Sequence, residues 1–139
     1  MAWVVATCIL LDIGLDDPEF GEASEALLLR KAKDGLVVCP VTFIELAPAF
    51  GGSLTALRKF LSGLAVDYTE LWQDQDTQQA ARAWSRHIAR RRVHPVRTTK
   101  RPVADMLIGG FALRFDGLLT RNTGDFRKLF PSLRLVSPE

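Results

Sequence analysis

Residues 4–13, VVATCILLDI, carry the clearest structural signal in the sequence. The two valines at the start are typical of a buried strand, and the apolar residues after position 8 are typical of a helix that follows with no loop between. A strand that runs directly into a helix is the repeating unit of parallel α/β sheets. At the junction stand Ala6 and Thr7, where many enzymes of this layout need a carboxylate. The alanine therefore requires an explanation.

The rest of the chain repeats this alternation of short apolar strands and helices. Strands are predicted at residues 3–5, 36–39, around 66, 118–120 and 133–136. Helices are predicted at residues 8–14, 22–34, 42–50, 55–61, 77–92 and 104–115. The pattern predicts a single domain over residues 1–139, a three-layer α/β/α sandwich around a central parallel sheet of about five strands.

The amino-acid composition limits the class of protein but does not identify the function. A hydrophobic fraction of 47% and a net charge of +2 are typical of a soluble globular protein, and the charge alone does not indicate a polyanionic partner. Cys8 and Cys39 lie in apolar stretches, so we expect reduced, buried thiols. The first residues lack a basic segment and their apolar run is short, which favours a cytoplasmic protein. The absence of a Gly-rich loop after the first two strands argues against a small-molecule domain with a nucleotide cofactor.

Two helices differ in their apolar pattern. The helix at 77–92 places Ala81, Trp84 and Ile88 on one stripe, which predicts an amphipathic helix with a basic outer side. The helix at 104–115 is apolar nearly all round, which predicts burial. Its Gly109 and Gly110 cost helix stability and therefore indicate very close packing.

Polar residues from distant parts of the chain fall at one edge of the predicted sheet. Glu45 follows the second strand, Asp105 lies in the first turn of the buried helix, and Asn122 and Asp125 follow the fourth strand. In a parallel α/β sheet these positions share the edge where ligands bind. Carboxylates that converge repel one another unless a cation joins them, and an all-oxygen set favours Mg²⁺ or Mn²⁺ over zinc.

Each of these residues also has a purely structural interpretation. Asp105 and Glu45 could complement helix dipoles, and Asp125 could be a helix N-cap. Their joint occurrence at one edge favours the metal site. Asp12 and its neighbours Asp16 and Asp17 lie along or after the first helix, so we expect solvated surface or turn residues there.

Four stretches in order carry a family resemblance: VVATCILLD (4–12), LVVCPVTFIELAPAF (36–50), RPVADMLIGGFAL (101–113) and GLLTRNTGDF (117–126). With the closing LFPSLRLVSP (129–138), the chain resembles the PIN-domain ribonucleases nearly end to end, and within them the VapC toxins of bacterial toxin–antitoxin pairs. The resemblance implies a metal-dependent endoribonuclease toxin of a type II system with Mg²⁺ or Mn²⁺, an RNA substrate such as tRNA or another structured RNA, and a VapB-type antitoxin.

The resemblance also implies the site residues. Metal ligands would be Glu45, Asp105 and Asp125, together with position 6, where the family has its first aspartate and this chain has Ala6. Supporting polar groups in the site would be Thr7, Thr120 and Asn122.

Ala6 is the one departure from the family pattern, because the residues around it are kept. A degenerate protein would be expected to drift at several positions, so a single loss favours deliberate replacement of Asp by Ala to disarm a toxic nuclease. The alternative is a naturally inactive PIN-fold protein with an RNA-binding or regulatory role. Losing one of four carboxylates should weaken metal binding sharply, so this chain is expected to be inactive.

The RNA is expected to lie on a basic segment near the same edge. Residues 82–101 contain no acidic residue and eight basic ones: Arg82, Arg86, Arg90, Arg91, Arg92, Arg97, Lys100 and Arg101. The alternatives are a solvated helix face or a surface for an acidic antitoxin. A homodimer is also expected, because the family is commonly dimeric and because the helix at 104–115, with Leu71, Trp72 and Trp84, offers more apolar surface than one small sheet should bury.

Overall fold

The computed structural model describes residues 2–93 and 102–138. The strands are β1 (Trp3–Val5), β2 (Leu36–Val37), β3 (Val66–Asp67), β4 (Gly117–Leu119) and β5 (Leu135–Val136). The helices are α1 (Thr7–Gly14), α2 (Gly21–Lys31), α3 (Pro40–Leu46), α4 (Leu54–Gly63), α5 (Asp74–Val93), α6 (Val103–Ala112) and α7 (Thr123–Leu129), with 3₁₀ turns at Ala32–Asp34 and Ala47–Phe50. Within these ranges no helix combines the length and the apolarity that a membrane span requires.

All five strands are parallel and form one sheet in the order β3-β2-β1-β4-β5. The chain builds outward from β1 through β2 to β3, then returns to the other side of β1 for β4 and β5. The order therefore reverses at β1, and the crevice at its carboxyl end is where ligands bind in open α/β sheets. The predicted fold class is confirmed by this sheet.

Side chains alternate between the two faces of the sheet and so define two cores. Val4 and Leu118 belong to a core that includes Phe111 of α6 and Phe126 of α7. Their neighbours Trp3, Val5 and Leu119 belong to a second core, built with the buried leucines and isoleucine of α1, α2 and α4. Because strand residues alternate sides, helices α5 to α7 cover one face and α1 to α4 the other. This is the predicted three-layer arrangement.

Close packing of α6 on its neighbours is confirmed at both glycines. A methyl group on Gly109 would overlap the ring of Phe130, and one on Gly110 would lie 3.0 Å from the carbonyl oxygen of Asp76 and 3.1 Å from the backbone nitrogen of Ala80. Only a residue without a side chain lets α5 and the end of α7 approach α6 this closely.

Two details of the helices differ from the sequence prediction. The buried stripe of α5 contains Ala80 and Ala83, whereas Ala81 is exposed and Trp84 is 38% exposed. The predicted stripe through Ala81 and Trp84 was wrong because the close contact with α6 requires small residues, and alanines supply them. Helix α7 was not predicted at all; it is short and buries only Phe126 and Leu129.

Candidate functional site

Ala6 directly follows β1 at the centre of the sheet and is the N-cap residue of α1. Its backbone N–H donates to the carbonyl oxygen of Leu119 at 2.9 Å, so the position is fixed between β1 and β4. The residue is 3% exposed and belongs to the core that also holds Met106 and Phe126. Its methyl group therefore lies on the side of the sheet covered by α6 and α7, the helices that carry Asp105 and Asp125.

Thr7 and Glu45 meet at this edge although 38 residues separate them. The Thr7 hydroxyl oxygen lies 2.7 Å from Oε1 of Glu45 and 3.1 Å from the hydroxyl oxygen of Thr42. A hydroxyl has one proton and a carboxylate can only accept, so the Thr7 proton goes to Glu45. Thr42 is fully buried while Glu45 is exposed. The contact therefore holds a solvent-facing carboxylate against Thr7, the residue that follows position 6.

Each of the two aspartates lies in the first turn of a helix. Asp105 is in the first turn of α6 and is half-buried, and Asp125 is in the first turn of α7 and is exposed. Acidic side chains are favoured at both places because they lie at the positive end of the helix dipole.

The loop between β4 and α7 carries the remaining predicted polar groups. Thr120 is fully buried, and its hydroxyl oxygen accepts the backbone N–H of Asn122 at 3.0 Å. The same oxygen lies 3.6 Å from the sulfur of Cys8, which is half-buried rather than fully buried. Asn122 is exposed at the N-cap of α7. Thr120 therefore acts as an internal support of the loop, and Asn122 faces solvent.

The residues present do not form a complete metal site. Within residues 2–93 and 102–138, no three Asp, Glu, His or Cys side chains come together as a group that could hold an ion. Ala6 offers only a methyl group where the family pattern has a carboxylate. Metal dependence therefore stays a prediction. It applies to a form of the chain that has a carboxylate at position 6.

Asp12 corrects the sequence analysis. It was expected to be solvated, yet it is 4% exposed, and Arg121 donates to both of its carboxylate oxygens at 2.8 and 2.9 Å. Ser24 of α2 adds a third hydrogen bond at 2.8 Å. The prediction was wrong because the partner lies 109 residues away, and Arg121 itself was not singled out. The sequence feature that could have indicated a buried, paired Asp12 is its position as the only acidic residue in the apolar run CILLDIG.

Asp16 and Asp17 match the prediction of a turn. Asp16 is exposed and has a positive φ of 51°. Asp17 accepts the backbone N–H groups of Phe20 and Glu19 at 2.8 and 2.9 Å, and these hydrogen bonds lower the pKa of its carboxyl group.

Part of the basic segment lies on the last turns of α5. Arg90 and Arg92 are exposed and Arg91 is half-buried. One Nη of Arg86 donates to the carbonyl oxygen of Leu129 at 3.1 Å, so this arginine caps the C-terminal end of α7. The predicted RNA-binding residues Arg97, Lys100 and Arg101 lie outside the described residues.

Comparison with solved structures finds the same fold in the crystal structure of VapBC2 from Rickettsia felis bound to a DNA fragment from their promoter. The TM-score is 0.71 at 16% sequence identity, and the match covers 100% of this chain and 100% of that chain. No family model matches the chain, and no curated protein does. At this identity the likeness shows the fold, and it agrees at that level with the resemblance to VapC toxins.

Proposed function

We propose that this chain is a PIN-domain endoribonuclease of the VapC type, the toxin of a type II toxin–antitoxin pair, in a form inactivated by Ala6. The observation that supports this most is the Thr7–Glu45 hydrogen bond of 2.7 Å beside a buried alanine at the end of the central strand. A carboxylate held by the residue that follows an uncharged position 6 is what an acidic site with one ligand removed would leave.

In this proposal the intact site holds Mg²⁺ or Mn²⁺ with four carboxylates, from position 6, Glu45, Asp105 and Asp125. All-oxygen ligands suit these cations, which supply an ionised water and neutralise phosphate charge in nucleases. Thr7 orients Glu45, as its hydrogen bond indicates. Thr120 and Asn122 support the site from the β4–α7 loop.

A second candidate function is that of a naturally inactive PIN-fold protein with an RNA-binding or regulatory role. The observation that favours it is the good fit of Ala6, which is buried among Met106, Phe126 and other core side chains without a polar group to satisfy. The codon at position 6 of the natural gene separates the two candidates. An aspartate codon supports the disarmed nuclease, and an alanine codon supports the inactive protein.

The partners in this proposal are RNA, a VapB-type antitoxin and a second copy of the chain, all in the cytoplasm. The exposed arginines at the end of α5 supply positive charge for phosphates, and an antitoxin that covers the site could use the same surface. The description of the structural neighbour, which names VapBC2 with promoter DNA, supports the antitoxin.

The homodimer proposal rests on apolar side chains left at the surface. Leu71 is 76% exposed and Trp84 38% exposed, while Trp72 is half-buried and hydrogen-bonded through its indole N–H to Thr77 at 2.8 Å. Light scattering at high micromolar concentration should therefore give twice the mass of one chain. A monomer under these conditions, with no antitoxin bound, would contradict the dimer.

The proposed function is tested by expression in bacterial cells from a tightly controlled promoter. The Ala6→Asp variant should arrest growth, and its cognate antitoxin should relieve the arrest. The Ala6→Asn variant is the matched control, because it has the same size without the charge. Equal growth of cells that express either variant at equal levels would count against the nuclease.

A further inference from the structure

The ion pair of buried Asp12 with the partly exposed Arg121 connects α1, α2 and the loop between β4 and α7. Asp12 belongs to α1, five residues after Thr7, and is 4% exposed. Its carboxylate accepts from Ser24 of α2 and from two nitrogens of Arg121, which lies in the β4–α7 loop. The guanidinium also lies over the ring of Phe20, at 4.1 Å from its centroid. All of these contacts constrain where Arg121 can be.

Arg121 is in turn the middle of the short loop that places α7. The residue before it, Thr120, is held to the sheet, since its backbone N–H donates to the carbonyl oxygen of Val136 at 3.0 Å. The residue after it, Asn122, accepts the backbone N–H of Phe126 at 3.3 Å and so begins α7. The direction in which α7 leaves the sheet, and with it the position of Asp125, depends on the residue between these two anchors.

We propose that Asp12 and Arg121 are positioning residues that fix the start of α7, and therefore Asp125, relative to position 6 at the start of α1. A fork of two parallel N–H···O bonds defines orientation as well as distance, which a single contact would not do. The Arg121 charge is already paired with a buried carboxylate, so its use is internal rather than as a contact to RNA phosphate. The link to a metal site rests on the proposed function, whereas the link to α7 does not.

The chain contains a matched control for this pair. Arg114 donates to both oxygens of Asp76 at 2.8 and 3.1 Å, and Asp76 is fully buried. This second fork joins α5 to the residues after α6, and its guanidinium lies 5.0 Å from the ring centroids of Phe111 and Phe115. It has the same chemistry, with an arginine side chain 13% exposed against 30% for Arg121, and the hydrogen bonds of Arg114 among the described residues go to Asp76 and Leu71 rather than to α1 or the β4–α7 loop.

The first experiment measures hydrogen exchange in the chain as it stands. Lysine keeps the charge and loses the fork, so Arg121→Lys should speed exchange of the Asn122 and Phe126 amides at least tenfold. Arg114→Lys should leave these two amides unchanged within about twofold. No acceleration in Arg121→Lys, or an equal acceleration in Arg114→Lys, would overturn the proposal. If either variant does not fold, Asp12→Asn/Arg121→Gln and Asp76→Asn/Arg114→Gln replace them, because they leave no unpaired buried charge.

The second experiment measures Mn²⁺ affinity by calorimetry in variants that also carry Ala6→Asp. Arg121→Lys should displace the start of α7 and with it Asp125, so it should weaken Mn²⁺ binding about tenfold, the smaller effect seen when a supporting contact of a metal site is lost, and Arg114→Lys should not. If Ala6→Asp binds Mn²⁺ equally well with and without Arg121→Lys, the positioning role in the metal site is wrong. If Ala6→Asp itself binds no Mn²⁺, the proposed function fails instead, and hydrogen exchange alone decides whether the pair fixes α7.

Discussion

Replacement of Gly109 by alanine tests the packing that brings the helices of Asp105 and Asp125 together. Gly109 lies one turn after Asp105 on α6, and a methyl group there would overlap Cδ2 and Cε2 of Phe130 and lie 3.1 Å from its Cζ. Phe130 is 2% exposed at the end of α7, so its ring has no free space to enter. Overpacking of this kind costs about 1–3 kcal/mol, and the better helix propensity of alanine returns about 1 kcal/mol.

The expected net loss is about 1 kcal/mol in the free energy of unfolding. In urea, with an m-value of about 2 kcal/mol/M, the midpoint should fall by about 0.5 M without a change of slope. Gly124→Ala is the control, because a methyl group there meets nothing within 4 Å in another short helix, and it should not destabilise. In a Phe130→Leu background the penalty of Gly109→Ala should largely disappear. An alanine at 109 as stable as glycine would refute the reasoning.

Two further predictions concern charge. Burial raises the pKa of the Cys39 thiol to about 11 from an ordinary value of 9.0, so the folded state holds its proton longer than the unfolded state. The stability that this group contributes is nearly complete below pH 9 and should fall by roughly 2 kcal/mol by pH 11, as measured by urea denaturation, while Cys39→Ala should decline less over the same range. Neutralising Arg90 and Arg92 should weaken RNA binding and reduce its salt dependence by up to about two counterions in fluorescence anisotropy, whereas neutralising Arg58 and Lys59 on the opposite face of the sheet should not. An equal salt slope in all three proteins would assign the arginines to another partner or to solvation.

The sheet could be predicted because its signals are local. Short β-branched runs bounded by helices identify parallel strands, and the prediction matched β1 and came within two residues at each end of the others. The contact of Thr7 with Glu45 agrees with the same rule, since side chains after parallel strands share one edge, whereas a common site with Asp105 and Asp125 stays a prediction.

Features that depend on tertiary contacts could not be predicted from the sequence. The Asp12–Arg121 pair joins residues 109 positions apart, and in the sequence alone Asp12 is one acid among several after the first strand. The buried face of α5 is set by the close approach of α6 at Gly110, which selects Ala80 and Ala83 over the larger Trp84. Helix α7 has too few turns to show a periodic pattern.

The most direct test of the central claim compares the chain with its Ala6→Asp and Ala6→Asn variants for RNA cleavage and thermal melting, with and without Mn²⁺. The aspartate is expected to lower the melting temperature without metal, because it adds a charge at a buried position beside Glu45. Mn²⁺ at a hundredfold excess over its Kd should return about 2.7 kcal/mol, or roughly 8 °C, and switch on cleavage of cellular RNA in this variant alone. An Ala6→Asp protein that folds, cuts no RNA and melts at the same temperature with and without Mn²⁺ would contradict the account.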